Sequence, residues 1–408
     1  MTLKISKGEN MPQILENFFE NNVFTYKSYA CDCVEDINHT APGIPPQKTF
    51  KFQSYSNRPL LFGYRAKTGL SRIAPNGTTE EDNILGSLIA LPTKKLKDLY
   101  SFFERNGFLF PVSNSEYESI DADLLYEFIL RIKATVELMT AANEIHKDYE
   151  KITHLTLYLM MSEPLQIKLE SMPDPYTSCK HSFTDTMIKA STVSLSWERQ
   201  QEAFEKDTYT VSDTIATPSY ELDISEYNDI VSGTSINGTI SVTPFYKQIT
   251  QLYCNYNGSQ MERKIIDFLF HLHHDFGQLQ TCDMVNGLIL YPSADLSTMN
   301  DEMKSAIIEI ARHVLGEEIN ANLSGIFPEY DVQTMAPSWK VNSLLSAIYF
   351  SIFYLKPDLE LYRQCANPRC QRYFLVKTTS TRTKYCSTEC CNRVTQDRYR
   401  KKKREQTK

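Results

Sequence analysis

The sequence predicts an α+β protein: a helix-rich N-terminal body over residues 1–355, then a small cysteine-clustered module ending in a basic helix over residues 361–408. Three observations predict it. Apolar residues recur at helical spacing in four long segments between residues 93 and 316, while alternating aromatic segments near the N-terminus read as strands. Five of the ten cysteines fall between Cys365 and Cys391. The charge splits at the same place. Residues 361–408 hold 14 Lys and Arg against three acids, net +11, and the other 360 residues hold 29 basic against 47 acidic side chains, net −18.

The chain is 408 residues long, 41% hydrophobic and 23% charged, an ordinary globular balance that can bury a core. That length admits two or three units, and the body divides by pattern into a mixed part over about 1–80 and a mainly helical part over 81–355. Asn10 to Asn21 reads as a short helix. Val23 to Tyr26 and Thr49 to Phe52 alternate as strands do, with the Pro-Gly stretch Ala41 to Pro46 as a loop between them. Ile84 to Leu91 is a short apolar strand candidate closed by Pro92. Thr93 to Asn106 carries Leu96, Leu99, Tyr100 and Phe103 on one helical face and stops at Gly107. Asp121 to Lys147 is a long helix with Asp121 as its N-cap and Leu124, Leu125, Phe128, Ile129, Ile132, Val136 and Met139 on one face. Met261 to Gln278 and Asn300 to Gly316 repeat the pattern. Residues 208–245 are Ser/Thr-rich and give no clear periodicity. Trp339 to Leu355 reads as a buried apolar helix ended by Pro357. Its apolar window, Val341 to Leu355, is shorter than the roughly 20 residues that span a bilayer. No secretory signal pattern opens the chain. The expectation is a cytoplasmic protein without membrane contact.

In a reducing compartment clustered cysteines point to metal rather than to disulfides. The spacing here is Cys365-x4-Cys370-x15-Cys386-x3-Cys390. Two close pairs joined by one loop can turn four sulfurs toward one point, as a tetrahedral zinc requires. Four thiolates close the coordination sphere, so the site is structural rather than catalytic. Asn367-Pro368 forms the turn inside the first pair. Ser387 is placed to cap a helix whose first turn holds Cys390, and adjacent helical residues point about 100° apart. Cys390 and Cys391 therefore cannot both face the ion; Cys390 is the favoured fourth ligand and Cys391 the alternative. Tyr373 and Phe374 are expected to cover the metal and pack on the body, because so small a module has little core of its own.

From Asn392 to Arg404 no Gly or Pro interrupts the chain. Arg393, Gln396, Arg400 and Lys403 share one helical face, with Arg404 beside them. Arg and Gln can read base edges in a major groove, and the flanking lysines, Lys401 and Lys402 among them, suit phosphates, with Arg398 a further DNA contact. The zinc would fix the start of this helix, which would fray alone. A solvated tail, or one that meets a phospholipid head group or an acidic protein, is the competing reading.

Cys365-Ala366-Asn367-Pro368-Arg369-Cys370, then Tyr373-Phe374, Lys384-Tyr385-Cys386-Ser387 and Cys391-Asn392-Arg393, resemble the CGNR-type zinc finger of bacterial transcription regulators. Cys390-Cys391-Asn392-Arg393 stands where the family's Cys-Gly-Asn-Arg would be, and the Gly replaced by Cys391 supports Cys390 as ligand. The good match covers about 45 residues, with weaker similarity at Gly107-Phe108-Leu109-Phe110-Pro111 and in the apolar helix before the finger. The resemblance implies zinc, DNA binding and regulation, with a larger N-terminal region that senses a signal.

Other candidates are weaker. His271 and His274 share a helical face beside Asp275, but no Glu falls at zinc-protease spacing, and a solvated polar face is the expected reading. Cys31-x-Cys33 is too tight for a metal knuckle. With 14 glycines there is no phosphate-binding Gly loop, and there is no Gly-x-Ser-x-Gly elbow. The expectation is therefore a transcription regulator and not an enzyme. Its partner is DNA, its cofactor zinc, and its body is open to a homodimer or a small-molecule signal. An effector delivered to nucleic acid by the finger, or a protein-interaction module, is the alternative.

Overall fold

The computed structural model describes residues 22–38, 47–65, 68–91, 96–190, 197–216, 219–233, 241–332, 335–356, 359–370, 372–380 and 382–406. It is a mixed structure, 45% helical and 26% strand, as an α+β reading requires. The chain forms two units. The first comprises Met1–Val136, Leu165–Ser178 and Ile319–Lys408, the second Glu137–Pro164 and Cys179–Glu318.

Alternating aromatics build the sheet of the first unit. β1 (Phe24–Asn38) and β2 (Gln47–Arg65) pair antiparallel, Phe24 opposite Tyr64, with a register shift between Tyr29 and Cys31. β3 (Gly69–Ile73) continues the sheet from the end of β2, and β4 (Thr79–Asn83) follows it. Phe24, Tyr26, Phe50, Phe52, Phe62 and Tyr64 all point into the core, the two-residue period of a half-buried strand. α1 (Ile84–Leu88) comes next, where the apolar run suggested a strand. The Asn83 side chain accepts a hydrogen bond from the Gly86 amide, which caps a helical turn. Ile84, Leu85, Leu88 and Ile89 then share one buried face, a helical rather than an alternating pattern.

α2 (Leu96–Asn106) buries Leu99 and Phe103 and ends where Gly107 adopts φ +78°, a conformation that favours glycine. β5 (Glu118–Asp121) pairs with β2, and Phe108 stacks on Phe52 with centroids 3.8 Å apart. α3 (Ala122–Asn143) starts at Asp121, whose carboxylate accepts from the amides of Asp123 and Leu124. This is the cap expected from the sequence.

Along the chain, α4 (Tyr149–Met161) is followed by a small ladder, β6 (Gln166–Ile167) with β7 (Tyr176–Thr177). In the second unit, α5 (Ser182–Ala190) and α6 (Trp197–Lys206) precede a hairpin of β8 (Thr208–Val211) and β9 (Tyr220–Asp223), then α7 (Ile224–Ser232) and α8 (Pro244–Asn255). α9 (Gln260–His271) was expected to reach Gln278. It instead passes into a π-helical turn over Leu272–Phe276, and Gln278 opens β10 (Gln278–Asp283), paired with β11 (Gly287–Tyr291). α10 (Asp301–Ala321) continues past Gly316, because its buried face carries on through Glu318.

Back in the first unit, β12 (Ile326–Asp331) pairs with β13 (Ala336–Val341). Trp339 was expected inside a helix; it sits in β13 opposite Pro328. α11 (Leu344–Phe353) starts only after Ser343, whose hydroxyl accepts from the Ser346 amide. Its Phe350 lies 4.7 Å from Phe24, so the apolar helix packs against β1. The chain closes with β14 (Glu360–Gln364), β15 (Tyr373–Lys377) and α12 (Thr388–Gln406). The expected helix at Asn10–Asn21 and the loop at Ala41–Pro46 lie outside the described residues. Among the described residues no helix is long and apolar enough to cross a membrane.

Candidate metal centre and basic helix

The hairpin of β14 and β15 carries the first pair of cysteines. Gln364 pairs with Tyr373, and the turn between them runs from Cys365 to Arg372. The Cys365 amide donates to the Arg372 carbonyl, the Cys370 amide to the Asn367 carbonyl, and the Arg369 amide to the Asn367 side chain. These bonds fold the longer four-residue gap into a tight knuckle. The Ala366 amide donates to the Lys384 carbonyl, while Arg363 donates to the carbonyls of Ser380 and Thr383. The second cysteine pair is thereby held over the first.

Cys365, Cys370, Cys386 and Cys390 converge, their sulfurs all within 4.8 Å of one another. Cys386 Sγ lies 3.6 Å from Cys370 Sγ and 3.6 Å from Cys390 Sγ. Sulfurs at about 2.3 Å from one tetrahedral zinc would be about 3.8 Å apart, whereas a disulfide would need about 2.05 Å. The donor set therefore fits zinc. The Cys386 amide also donates to Cys365 Sγ at 3.5 Å, a bond that suits a thiolate. The Asn367 side chain first, then the sulfurs of Cys386 and Cys370 and the Ser387 hydroxyl, hold the Cys390 thiol down to about 7 against its burial. Burial and then the crowding sulfurs push Cys386 well up, and burial raises Cys370. Four sulfurs this close cannot all be thiolates unless a cation sits among them.

Cys391, the alternative ligand, is not part of the cluster. The reason is the helix. Ser387 Oγ accepts from the Cys390 amide and Ser387 O from the Cys391 amide, so α12 is already turning there and the two cysteines face different ways. Asn367, read from sequence as a turn former, is also a buried partner of the metal ligands. Only the spacing of the pair could have hinted at that.

Within the first unit the finger packs against α1 and α3. Tyr362 donates to Asn83 Oδ1 at 3.0 Å, the same side chain that caps α1. Tyr373 is buried, as expected, with the Lys133 ammonium 6.0 Å from its ring centroid; Phe374 is half-buried. The Tyr373 carbonyl lies so close to Gly86 that a Cβ there would be 2.4 Å from its oxygen. Only glycine permits this approach.

α12 is held at its base. Cys390 and Val394, one turn apart, are buried, and Asp397 lies 3.5 Å from Arg369 of the knuckle. Beyond Val394 every described side chain from Thr395 to Lys401, and Lys403, is exposed. Arg393, Gln396, Arg398, Arg400, Lys401 and Lys403 thus form a solvent-facing cationic rod leaving the metal site. Lys402 and Arg404 lie in the same helix, their side chains outside the described set.

The histidine segment is not the solvated face expected. His271 and His273 are buried. His271 Nε2 bonds Asp213 at 2.7 Å, and His274 bonds both Asp275 and Glu226. The chain reaches Asp213 from the β8–β9 connection, a partner 58 residues away that local spacing does not reveal. Cys31 and Cys33 are buried core thiols, and burial raises Cys31 to about 11.

Comparison with known proteins agrees with the geometry. No curated protein and no solved structure matches the chain. Residues 362–403 match the family model of the CGNR zinc finger, a span that contains all four clustered cysteines and α12 as far as Lys403. The chain therefore carries a CGNR zinc finger at its C-terminal end.

Proposed function

We propose that the protein is a DNA-binding transcription regulator. In this reading zinc fixes the start of α12, the exposed helix contacts duplex DNA, and the acidic body senses a signal or dimerises rather than catalysing a reaction. One observation carries it: a cationic helix, otherwise exposed, is anchored at its first turn by a four-sulfur site. Forming the first turn is the costly step of making an isolated helix in water. Anchoring removes the nucleation step and sets the direction in which Arg393, Gln396 and Arg400 point. A tail serving only as a solvated charge would not need that. The net +11 of residues 361–408 supplies the sequence-independent attraction to phosphate, and the −18 elsewhere discourages the body from lying on the duplex.

The test is selection of bound sequences from random duplex DNA by the full-length protein at physiological salt. An enriched motif supports the regulator. Tight binding without a motif points to an effector that the finger merely delivers to nucleic acid. No binding removes the reading.

A further inference from the structure

In the second unit Cys179, His181 and Glu318 bring a thiol, an imidazole and a carboxylate together, their ligand atoms all within 4.8 Å of one another. Their exposures are 5%, 2% and 0%. Cys179 and His181 lie just before α5; Glu318 is on α10. We propose that this cluster is a second metal site, which takes a thiophilic first-row divalent ion such as zinc through Cys179 Sγ, His181 Nε2 and a Glu318 oxygen.

The geometry favours an ion over a plain ion pair. His181 Nε2 stands 3.2 Å from Glu318 Oε1. Two ligand atoms at about 2.0–2.1 Å from a tetrahedral zinc lie about 3.3 Å apart. A charge-assisted hydrogen bond would instead close to about 2.7–2.9 Å. The other face of the same ring shows that shorter distance: His181 Nδ1 is 2.7 Å from Glu317 Oε2. Glu317 is itself fixed, accepting from the Ser182 amide at 3.3 Å, with His313 Nε2 3.5 Å away. A carboxylate on the far nitrogen is the usual outer partner of a metal-bound histidine, since it selects the tautomer that turns the free lone pair to the ion.

Charge points the same way. Glu318 is fully buried, and buried carboxylates are paired or coordinate a metal. A divalent ion with one thiolate, one carboxylate and a neutral imidazole is balanced. Three protein ligands leave a fourth position for water or a small ligand, unlike the closed four-sulfur finger. In the competing arrangement a His181 imidazolium bridges Glu317 and Glu318 and Cys179 takes no part.

The two sites are separable by counting. Full-length protein, purified with zinc and dialysed, should hold two zinc per chain by elemental mass spectrometry. The C365S/C386S variant should hold one, and adding C179S and E318Q should remove it. Loaded with cobalt(II), the C365S/C386S variant should show a sulfur-to-cobalt charge-transfer band of one-thiolate intensity that disappears with Cys179→Ser. Zero metal in C365S/C386S, with wild type holding one, overturns the second site while leaving the finger intact. A cobalt band that survives Cys179→Ser also overturns it. If changes in the second unit disturb folding, the count on C365S/C386S, in which that unit is native, decides by itself.

Discussion

Consider what salt should do to DNA binding. α12 exposes Arg393, Arg398, Arg400, Lys401 and Lys403 over eleven residues, a rod of about 15 Å at 1.5 Å per residue. If about four of these cations meet phosphates, counterion release gives a slope of log K against log salt of about −3.6. Raising monovalent salt from about 50 to 200 mM should then weaken binding by about 150-fold. Replacing Arg398 and Lys401 together with Gln removes two contacts, halves the slope to about −1.8, and reduces the same salt effect to about 12-fold. The assay is fluorescence anisotropy of a labelled duplex titrated with full-length protein across that salt range. Lys401→Ala alone should weaken all sequences alike, whereas Arg393→Ala should relax preference by about 1–3 kcal/mol at one position. A flat salt response, or a slope that the double substitution leaves unchanged, refutes the reasoning that this helix meets phosphate.

Further expectations follow from the finger and its seat. Gly86→Ala puts a Cβ 2.4 Å from the Tyr373 carbonyl oxygen; it should cost about 1–3 kcal/mol in urea unfolding, and no change would mean the finger is not seated there. Cys390→Ser should lower zinc affinity sharply and Cys391→Ser should not, measured by competition with a chromophoric chelator; equal losses would contradict the ligand assignment. His271 is raised to about 9, its burial outweighed by hydrogen bonds to Asp213 and Asp275. Because this folded-state value lies above the ordinary 6.5, the stabilisation is full below about pH 6.5 and is lost as pH rises through about 9, at most about 3 kcal/mol. Unfolding curves between those limits should fall more steeply for wild type than for His271→Asn; parallel curves would mean the buried cluster does not titrate as described.

The metal site was legible because it is local. Four sulfurs within 26 residues, with Ser387 as a cap, define the knuckle and the helix start without any knowledge of the body. Strand and helix types at Phe24, Phe50, Leu99 and Asp121 were legible for the same reason, since period and cap are short-range signals. The misses were of two kinds. At Ile84 the neighbouring Asn83 caps a helical turn where a strand was expected, and Ser343, four residues beyond Trp339, sets the helix start later than expected. At Asp213 with His271, and at Cys179 with Glu318, groups 58 and 139 residues apart meet only through the tertiary fold. Cys179 and His181 are two residues apart, but Glu318 joins them only through the fold.

Cys386→Ser is the most direct trial of the zinc-anchored helix. Its sulfur is 3.6 Å from those of both Cys370 and Cys390, so its loss opens the site and frees the base of α12. Affinity of the full-length variant for one duplex, at one salt concentration, should fall at least tenfold, or about 1.4 kcal/mol, toward that of a chain ending at Ser387. Wild-type affinity with an unchanged salt slope would show that charge alone, without the metal clamp, accounts for the binding.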